Sequence, residues 1–339
     1  DSVIQKIEKM EPFVREGNLW DYYFDAQRCQ IDLYSYREQI EFAINKSLEM
    51  YQKAQEANNV RGLIGAKQCL ANAYMGTGRW EEGKKALEEA HMLLPKLDNV
   101  IVHNSVLCQL VSLSKAKDDF ENLKKYLDEQ KSILEDYIRK NPTMEEAFQD
   151  PLIFNELYYA YYYLEMNQPH PAFEHLQKGA KYLTPHTYFM YRVLYYDAYA
   201  LYYRRCKEYD KALSQLDSTI VLLQEAFSSD YVNQLSAKAD ILVEAGRSQE
   251  ALPIYEKVLQ MKDSLVTELS DKQMKLIQSN YHINKIALEE EQLKNKIQLI
   301  VLIVIGTTLI VLVFFMLRIF RVRKALKIAE SETRKATRI

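Results

Sequence analysis

The chain has 339 residues, 48% apolar and 27% charged, with nine glycines, eight prolines and a net charge of −3 at neutral pH. So few turn formers, well under their usual combined share of about 12%, argue against an all-β fold, whose strands need Gly or Pro at nearly every corner. The 25 tyrosines and 12 phenylalanines supply ample core and exclude wholesale disorder.

Long helices with short connections remain, and self-comparison shows how they are organised. The segment 66–95 carries Leu70, Ala71, Tyr74, Gly78, Trp80, Gly83, Leu87, Ala90 and Pro95. Small residues at such places let two antiparallel helices approach, large ones fill the space between them, and the proline ends the second helix. This set resembles a tetratricopeptide repeat. In chain order, a degenerate copy holds Ile31, Tyr34, Ile40 and Ala43, and after the best copy come Leu110, Val111, Phe120, Leu123 and Leu127. Tyr159, Ala160, Tyr163, Ala172 and Leu176 follow, then Tyr199, Ala200, Tyr203, Tyr209, Ala212 and Leu216, and last Ala239, Leu242, Gly246, Ala251 and Tyr255.

The corresponding residues Ala43, Gly83, Leu123, Ala172, Ala212 and Ala251 are 40, 40, 49, 40 and 39 residues apart. That exceeds the 34 of the standard repeat, so longer helices or loops are expected, with the extra residues near Asn141–Asp150, where two X-Pro steps mark a loop. The expectation is an all-α tetratricopeptide-repeat superhelix of about six hairpins over residues 1–261, with an unrelated α-bundle as the alternative.

Such a superhelix has a concave groove lined by the first helix of each hairpin. Superposing the repeats turns Arg28, Asp32, Gln68, Asn72, Lys115, Phe154, Tyr161, Asp197, Arg204, Arg205 and Asp240 toward it. Mixed charge with aromatics suits an extended peptide or a partner helix. The tyrosine runs 158–163 and 195–203 read as hairpin core rather than a ligand box, since successive residues of a helix point to different sides.

No phosphate-binding glycine loop, nucleophile elbow, metal-spaced Cys/His set or supported carboxylate pair occurs. The chain therefore reads as non-catalytic, without a cofactor or metal. Cys29, Cys69, Cys108 and Cys206 lack a zinc or redox spacing and read as isolated, buried thiols. His170 and His175 flank Pro171, and a metal site there is the weaker reading.

Residues 262–296 contain no Gly or Pro, so one helix can run through them. Leu269, Leu276, Ile283, Ile286 and Leu293 approximate a seven-residue repeat interrupted by Lys272, Ser279 and Glu290, which reads as a weak parallel coiled coil holding a homodimer. The alternative is a single helix packing on the last repeat. Next, 297–317 is free of charge, with Gln298, Thr307 and Thr308 as its polar side chains. At 1.5 Å per residue it reaches roughly 31 Å, the thickness of a bilayer's hydrocarbon core. We read it as a transmembrane helix.

Residues 318–339 hold eight basic side chains against two acidic ones, a tail that suits a membrane-topology signal better than a nucleic-acid-binding face. Arg318, Arg321, Arg323 and Lys324 crowd the C-terminal flank of the span, whereas Glu289, Glu290 and Glu291 precede it. The positive-inside rule then places the tail in the cytoplasm and the large N-terminal part outside it, with a single pass through the membrane. Translocation implies a signal peptide ahead of Asp1.

Lys262-Asp263-Ser264-Leu265, the stretch from Tyr281 through Lys285 to Glu289, and the tail RVRKALKIAESETRKATRI together resemble the sensor half of a Bacteroidetes-type membrane histidine kinase. The resemblance implies a periplasmic sensor that passes a signal through the membrane to a kinase core beyond Ile339, with 318–339 a basic helix leading to it. Two other readings stand beside it. One is a membrane-anchored scaffold for periplasmic protein–protein interactions, and the other the sensor part of a membrane-bound transcriptional regulator.

Overall fold

The computed structural model describes residues 10, 12–36, 39–224, 228–267, 274, 294, 296–299, 306, 316, 319 and 324. Among them there is no strand. The chain divides into two compact units, Asp1–Leu276 and Ile277–Ile339.

The first unit opens with α1 (12–17). Six helices then begin successive hairpins: α2 (Trp20–Tyr36), α4 (Val60–Gly76), α6 (Val100–Ala116), α8 (Gln149–Glu165), α10 (Phe189–Arg205) and α12 (Ser228–Glu244). Each of these six is 17 residues long. Their partners are α3 (Ile40–Glu56), α5 (Trp80–Leu93), α7 (Phe120–Lys140), α9 (Pro169–Tyr182), α11 (Tyr209–Leu223) and α13 (248–267).

The long period therefore lies in long helices. The extra residues of the third hairpin are taken up by α7, 21 residues long, and by two 3-10 turns at Pro142–Met144 and Glu146–Phe148. Where an irregular loop was expected, the chain keeps turning, because Pro142 opens a tight turn without needing an N–H.

One backbone hydrogen bond recurs at the ends of all six first helices. In each, the backbone N–H just before the second helix donates to the carbonyl five residues back: Gln39 to Tyr34, Arg79 to Tyr74, Asp119 to Ser114, Gln168 to Tyr163, Glu208 to Tyr203 and Arg247 to Leu242. This is the 6→1 bond of a helix terminated through a left-handed residue. In the last five hairpins Gly78, Asp118, Asn167, Lys207 and Gly246 supply that residue with φ between 52° and 75°.

The six period markers Ala43, Gly83, Leu123, Ala172, Ala212 and Ala251, each the fourth residue of its second helix, are all buried. Each of the first five second helices also packs on the next first helix, so one hairpin's uncovered apolar face becomes the next one's core. Leu87, Leu107, Leu123 and Leu127 are fully buried there, and each contributes about 1.5–3 kcal/mol through removal from water. The described geometry is that of a tetratricopeptide-like array.

The thiols depart from the sequence reading. Cys69 is buried, Cys108 and Cys206 are half-buried, and Cys29 is exposed, all four free. Cys29 lies on the solvent side of α2, a position that helical periodicity alone left unresolved.

In the second unit, the described residues 294, 296–299, 306, 316, 319 and 324 are helical. Among the described residues no helix is long and apolar enough to cross a membrane. The span read at 297–317 lies largely outside them, and so do Leu269, Leu276, Ile283, Ile286 and Leu293 of the proposed dimer seam.

Candidate functional site in the groove of the array

The sequence-derived groove residues fall on a repeated stripe of the first helices. Phe154 is the sixth residue of its helix; Arg28, Gln68 and Asp197 are ninth; Asp32, Asn72, Tyr161 and Asp240 are thirteenth; Lys115 and Arg204 are sixteenth. Steps of three and four keep these positions on one helix face.

Four of them, Lys115, Tyr161, Asp197 and Arg204, line one cavity of about 170 Å³. Asn99 starts α6 by accepting from the N–H groups of Ile101 and Val102, both at 3.1 Å, and Lys115 sits in its last turn, where a cation complements the helix dipole. Its ammonium lies 4.7 Å from the ring centre of Tyr161 and 5.4 Å from that of Tyr158, both on α8. Tyr158 is held in turn by Phe154, stacked at 4.3 Å, and by a 3.3 Å hydrogen bond with Ser112. Passing over α8, the Lys115 charge acts on Asp197 of α10 and Asp230 of α12. Side chains of α6, α8, α10 and α12 line this one cavity, so the first helices of the last four hairpins converge on a concave face.

Burial holds the Asp197 carboxyl above the usual carboxylate range, against the pull of Lys115 and a hydrogen bond from Gln234, while Asp230 adds to the rise. Asp230 is also raised by burial, opposed by Lys115. Arg204 grips Glu244 with two groups, Nη2 at 2.6 Å and Nε at 3.1 Å. Arg205 reaches back to Glu165 at 2.9 Å, and Tyr255 donates to Asp240 at 2.6 Å.

The cavity walls are mainly aliphatic, from Leu157, Leu194, Leu201, Leu216 and Ile241, with Ala198, Ala200 and Ala237 as small residues between them. It lies where two core clusters stop short of each other, one holding Leu157 and Ala198, the other Ala200, Leu216 and Ile241. The void is smaller than the roughly 300 Å³ at which drug-sized ligand sites begin. It fits a single apolar side chain.

The remaining groove residues lie elsewhere. Gln68 is buried and donates to Ser105 at 3.0 Å and Gln109 at 2.7 Å, and Gln109 donates to Asn72 at 2.8 Å, a polar ladder joining α4 to α6. Asp32 accepts from Asn72 and stands near Arg28. Phe154 is buried in the core. The superposition passed over Asp230, Asn233, Gln234 and Glu244; Asn233 was legible, because it is the sixth residue of α12 as Phe154 is of α8.

A larger opening of about 610 Å³ lies along α7, α8 and α9. Its groups satisfy one another: Asp128 accepts from Lys124 and from Tyr159, each at 2.5 Å, and His175 meets Glu156 at 2.6 Å beneath the rings of Tyr159 and Tyr163. With few unclaimed donors or apolar walls it is the weaker site. Among the described residues no group of three or more His, Cys, Asp and Glu is placed to hold a metal, and His170 faces Glu174 at 3.5 Å.

No protein-family profile matches the chain, and no curated protein matches it. Among solved structures it is similar to BtubC (BKLC) from P. vanneervenii, at 13% identity and a TM-score of 0.48, over 67% of this chain and 92% of that one. It is also similar to a tetratricopeptide repeat protein from Parabacteroides merdae ATCC 43184, at 13% identity and a TM-score of 0.43, over 74% of this chain and 88% of that one.

Proposed function

We propose that the array is a protein-binding module whose groove holds an extended peptide or partner segment, and that it serves as the sensing part of a single-pass membrane protein of the sensor histidine kinase type. The observation that carries the binding part is the groove cavity itself: aliphatic walls left open beside Lys115, Tyr161 and Asp197. A helical-repeat array without a catalytic constellation among its described residues acts through such surfaces.

The signalling part rests on the sequence. An uncharged 297–317, a basic flank beginning at Arg318 and a tail resembling the entry to a kinase dimerisation helix supply it. In this reading the array is periplasmic, the tail cytoplasmic, and a homodimer forms through 262–296. A partner in the groove transmits a signal to the extent that it binds one arrangement of the array better than another.

Two experiments separate these parts. Panning a peptide library against the full chain in detergent micelles should select sequences that a Tyr161→Ala/Leu201→Ala variant does not retain; equal selection by both removes the groove reading. The reading frame beyond Ile339 should open a helix with a phosphoacceptor His followed by a kinase core. A frame without one leaves a membrane-anchored binding scaffold.

A further inference from the structure

The groove cavity has a charge pattern that selects among peptides. Asp197 and Lys115 line it, and the exposed Asp230 precedes the lining Asn233 by three residues on α12; both carboxylates feel the same Lys115 ammonium. The other basic groups nearby already have partners, since Arg204 is gripped by Glu244 and Arg205 by Glu165. Asp240 receives a phenol hydrogen bond from Tyr255 rather than a cation. The rim is therefore short of positive charge, while Asn233 and Gln234 bring amide groups to it.

We propose that the cavity receives an aliphatic side chain of an extended basic peptide, and that a Lys or Arg next to that side chain pairs with Asp197 and Asp230. This deepens the groove-binding reading and rests on it. The walls fix the anchor: at about 170 Å³ and lined by Leu157, Leu194, Leu201 and Ile241, the void matches a Leu, Ile or Met side chain. The carboxylates fix the neighbour, since an incoming cation supplies the charge that Lys115 must divide between them. An acidic segment is rejected, because it would face two carboxylates across one ammonium. Asn233 is exposed at the rim, where its amide can bond the peptide backbone.

The test is fluorescence anisotropy with three labelled peptides against the full chain in non-ionic detergent. Their central residues are Lys-Leu-Lys, Glu-Leu-Glu and Lys-Ser-Lys, within otherwise identical Ala-rich frames. The Lys-Leu-Lys peptide should bind at least about tenfold more tightly than either of the others. Asp197→Asn/Asp230→Asn, which preserves shape, should remove about tenfold of its affinity, whereas Lys115→Ala, by withdrawing the internal competitor, should strengthen it. Equal binding of the lysine and glutamate peptides, or preference for glutamate, overturns the charge assignment and leaves groove binding standing. Equal binding of the Leu and Ser peptides overturns the aliphatic anchor. Failure of all three peptides, together with failure of the library selection, overturns the groove reading itself and this proposal with it.

Discussion

Lys207 and Gly246 occupy the same place in consecutive hairpins, with φ of 63° and 75°. Each is followed by a residue whose N–H closes the 6→1 bond, Glu208 to Tyr203 and Arg247 to Leu242, both at 2.8 Å. The turn geometry is the same; the side chain is not. A Cβ in the left-handed region costs roughly 1–2 kcal/mol, partly offset because glycine loses more backbone freedom on folding. Lys207→Gly should therefore stabilise the chain by about 0.5–1 kcal/mol. Gly246→Ala should destabilise it by a similar amount, with no steric part, since an added Cβ meets nothing within 4 Å. Urea unfolding of both variants checks this, and a destabilised Lys207→Gly would show that the side chain makes a compensating contact.

A second glycine is held by crowding rather than by its dihedral. A Cβ on Gly62 would stand 2.5 Å from Cδ2 of Phe24 and 2.9 Å from Cβ of Ala54. Phe24 and Ala54 are both buried, so neither has space to move into. Overpacking of this kind costs about 1–3 kcal/mol, more than the roughly 1 kcal/mol that Ala gains over Gly in a helix interior. Gly62→Ala should lower the unfolding midpoint. Gly83→Ala should be milder, because the closest atom there is Cγ of Met75, part of a flexible side chain.

The fold was legible because the period markers carry it. Ala43, Gly83, Leu123, Ala172, Ala212 and Ala251 each recur at the fourth position of a second helix, and a buried small or fitted residue is required wherever two helices cross closely. The cavity was only half legible. Lys115, Tyr161, Asp197 and Arg204 lie on the repeated stripe, and so does Glu244, four residues after Asp240 and last in α12 as Arg205 is last in α10, whereas Asp230, the third residue of α12, precedes every superposed position. What no single repeat encodes is that side chains of α6, α8, α10 and α12 meet at one cavity, because the curvature that brings them together accumulates from small rotations between hairpins. The exposure of Cys29 was hidden for a related reason: the first hairpin lacks a preceding repeat pattern against which to assign its outer face.

Asn155 ties three helices together without contact with water. Its amide donates to the Leu127 carbonyl at 3.0 Å and to Gln130 Oε1 at 2.9 Å, while Gln130 Nε2 donates to Asn104 Oδ1 at 2.8 Å. Gln130 and Asn155 are both buried. Removing one member strands the other, at about 1–3 kcal/mol. Asn155→Leu and Gln130→Leu should each destabilise by that amount, and the double variant by less than their sum. Strict additivity in thermal unfolding would show that the two amides act independently.

The thiols should separate by environment. Burial pushes the Cys108 thiol up to about 12, against hydrogen bonds with Gln130 and Asn104. Burial, with Asp32 beside it, raises Cys69 further. Since the thiolate is the reacting form, an aromatic disulfide reagent at pH 8 should modify the exposed Cys29 first, the half-buried Cys108 more slowly, and the buried Cys69 only after unfolding. Rapid labelling of Cys69 in the folded chain would mean that α2 opens from α4.

The carboxylates at the groove predict opposite responses to pH. Asp197, raised above its ordinary 3.8 mainly by burial, holds its proton longer folded than unfolded. It therefore costs stability as pH rises from that ordinary value through the raised one, and the cost persists at neutral pH. Glu244, lowered from 4.5 by its hydrogen bond from Arg204, does the reverse. Its contribution is present above its ordinary value and disappears as pH falls through the lowered one. Arg204→Met should remove that gain, amounting to less than about 1 kcal/mol for a pair this open to solvent. Asp197→Asn should leave stability unchanged near pH 3, where the wild-type carboxyl is protonated in both states, and raise the melting temperature at pH 7. A variant less stable than wild type at pH 7 would mean that the attraction of Lys115 outweighs burial, and that the groove holds Asp197 charged by preference.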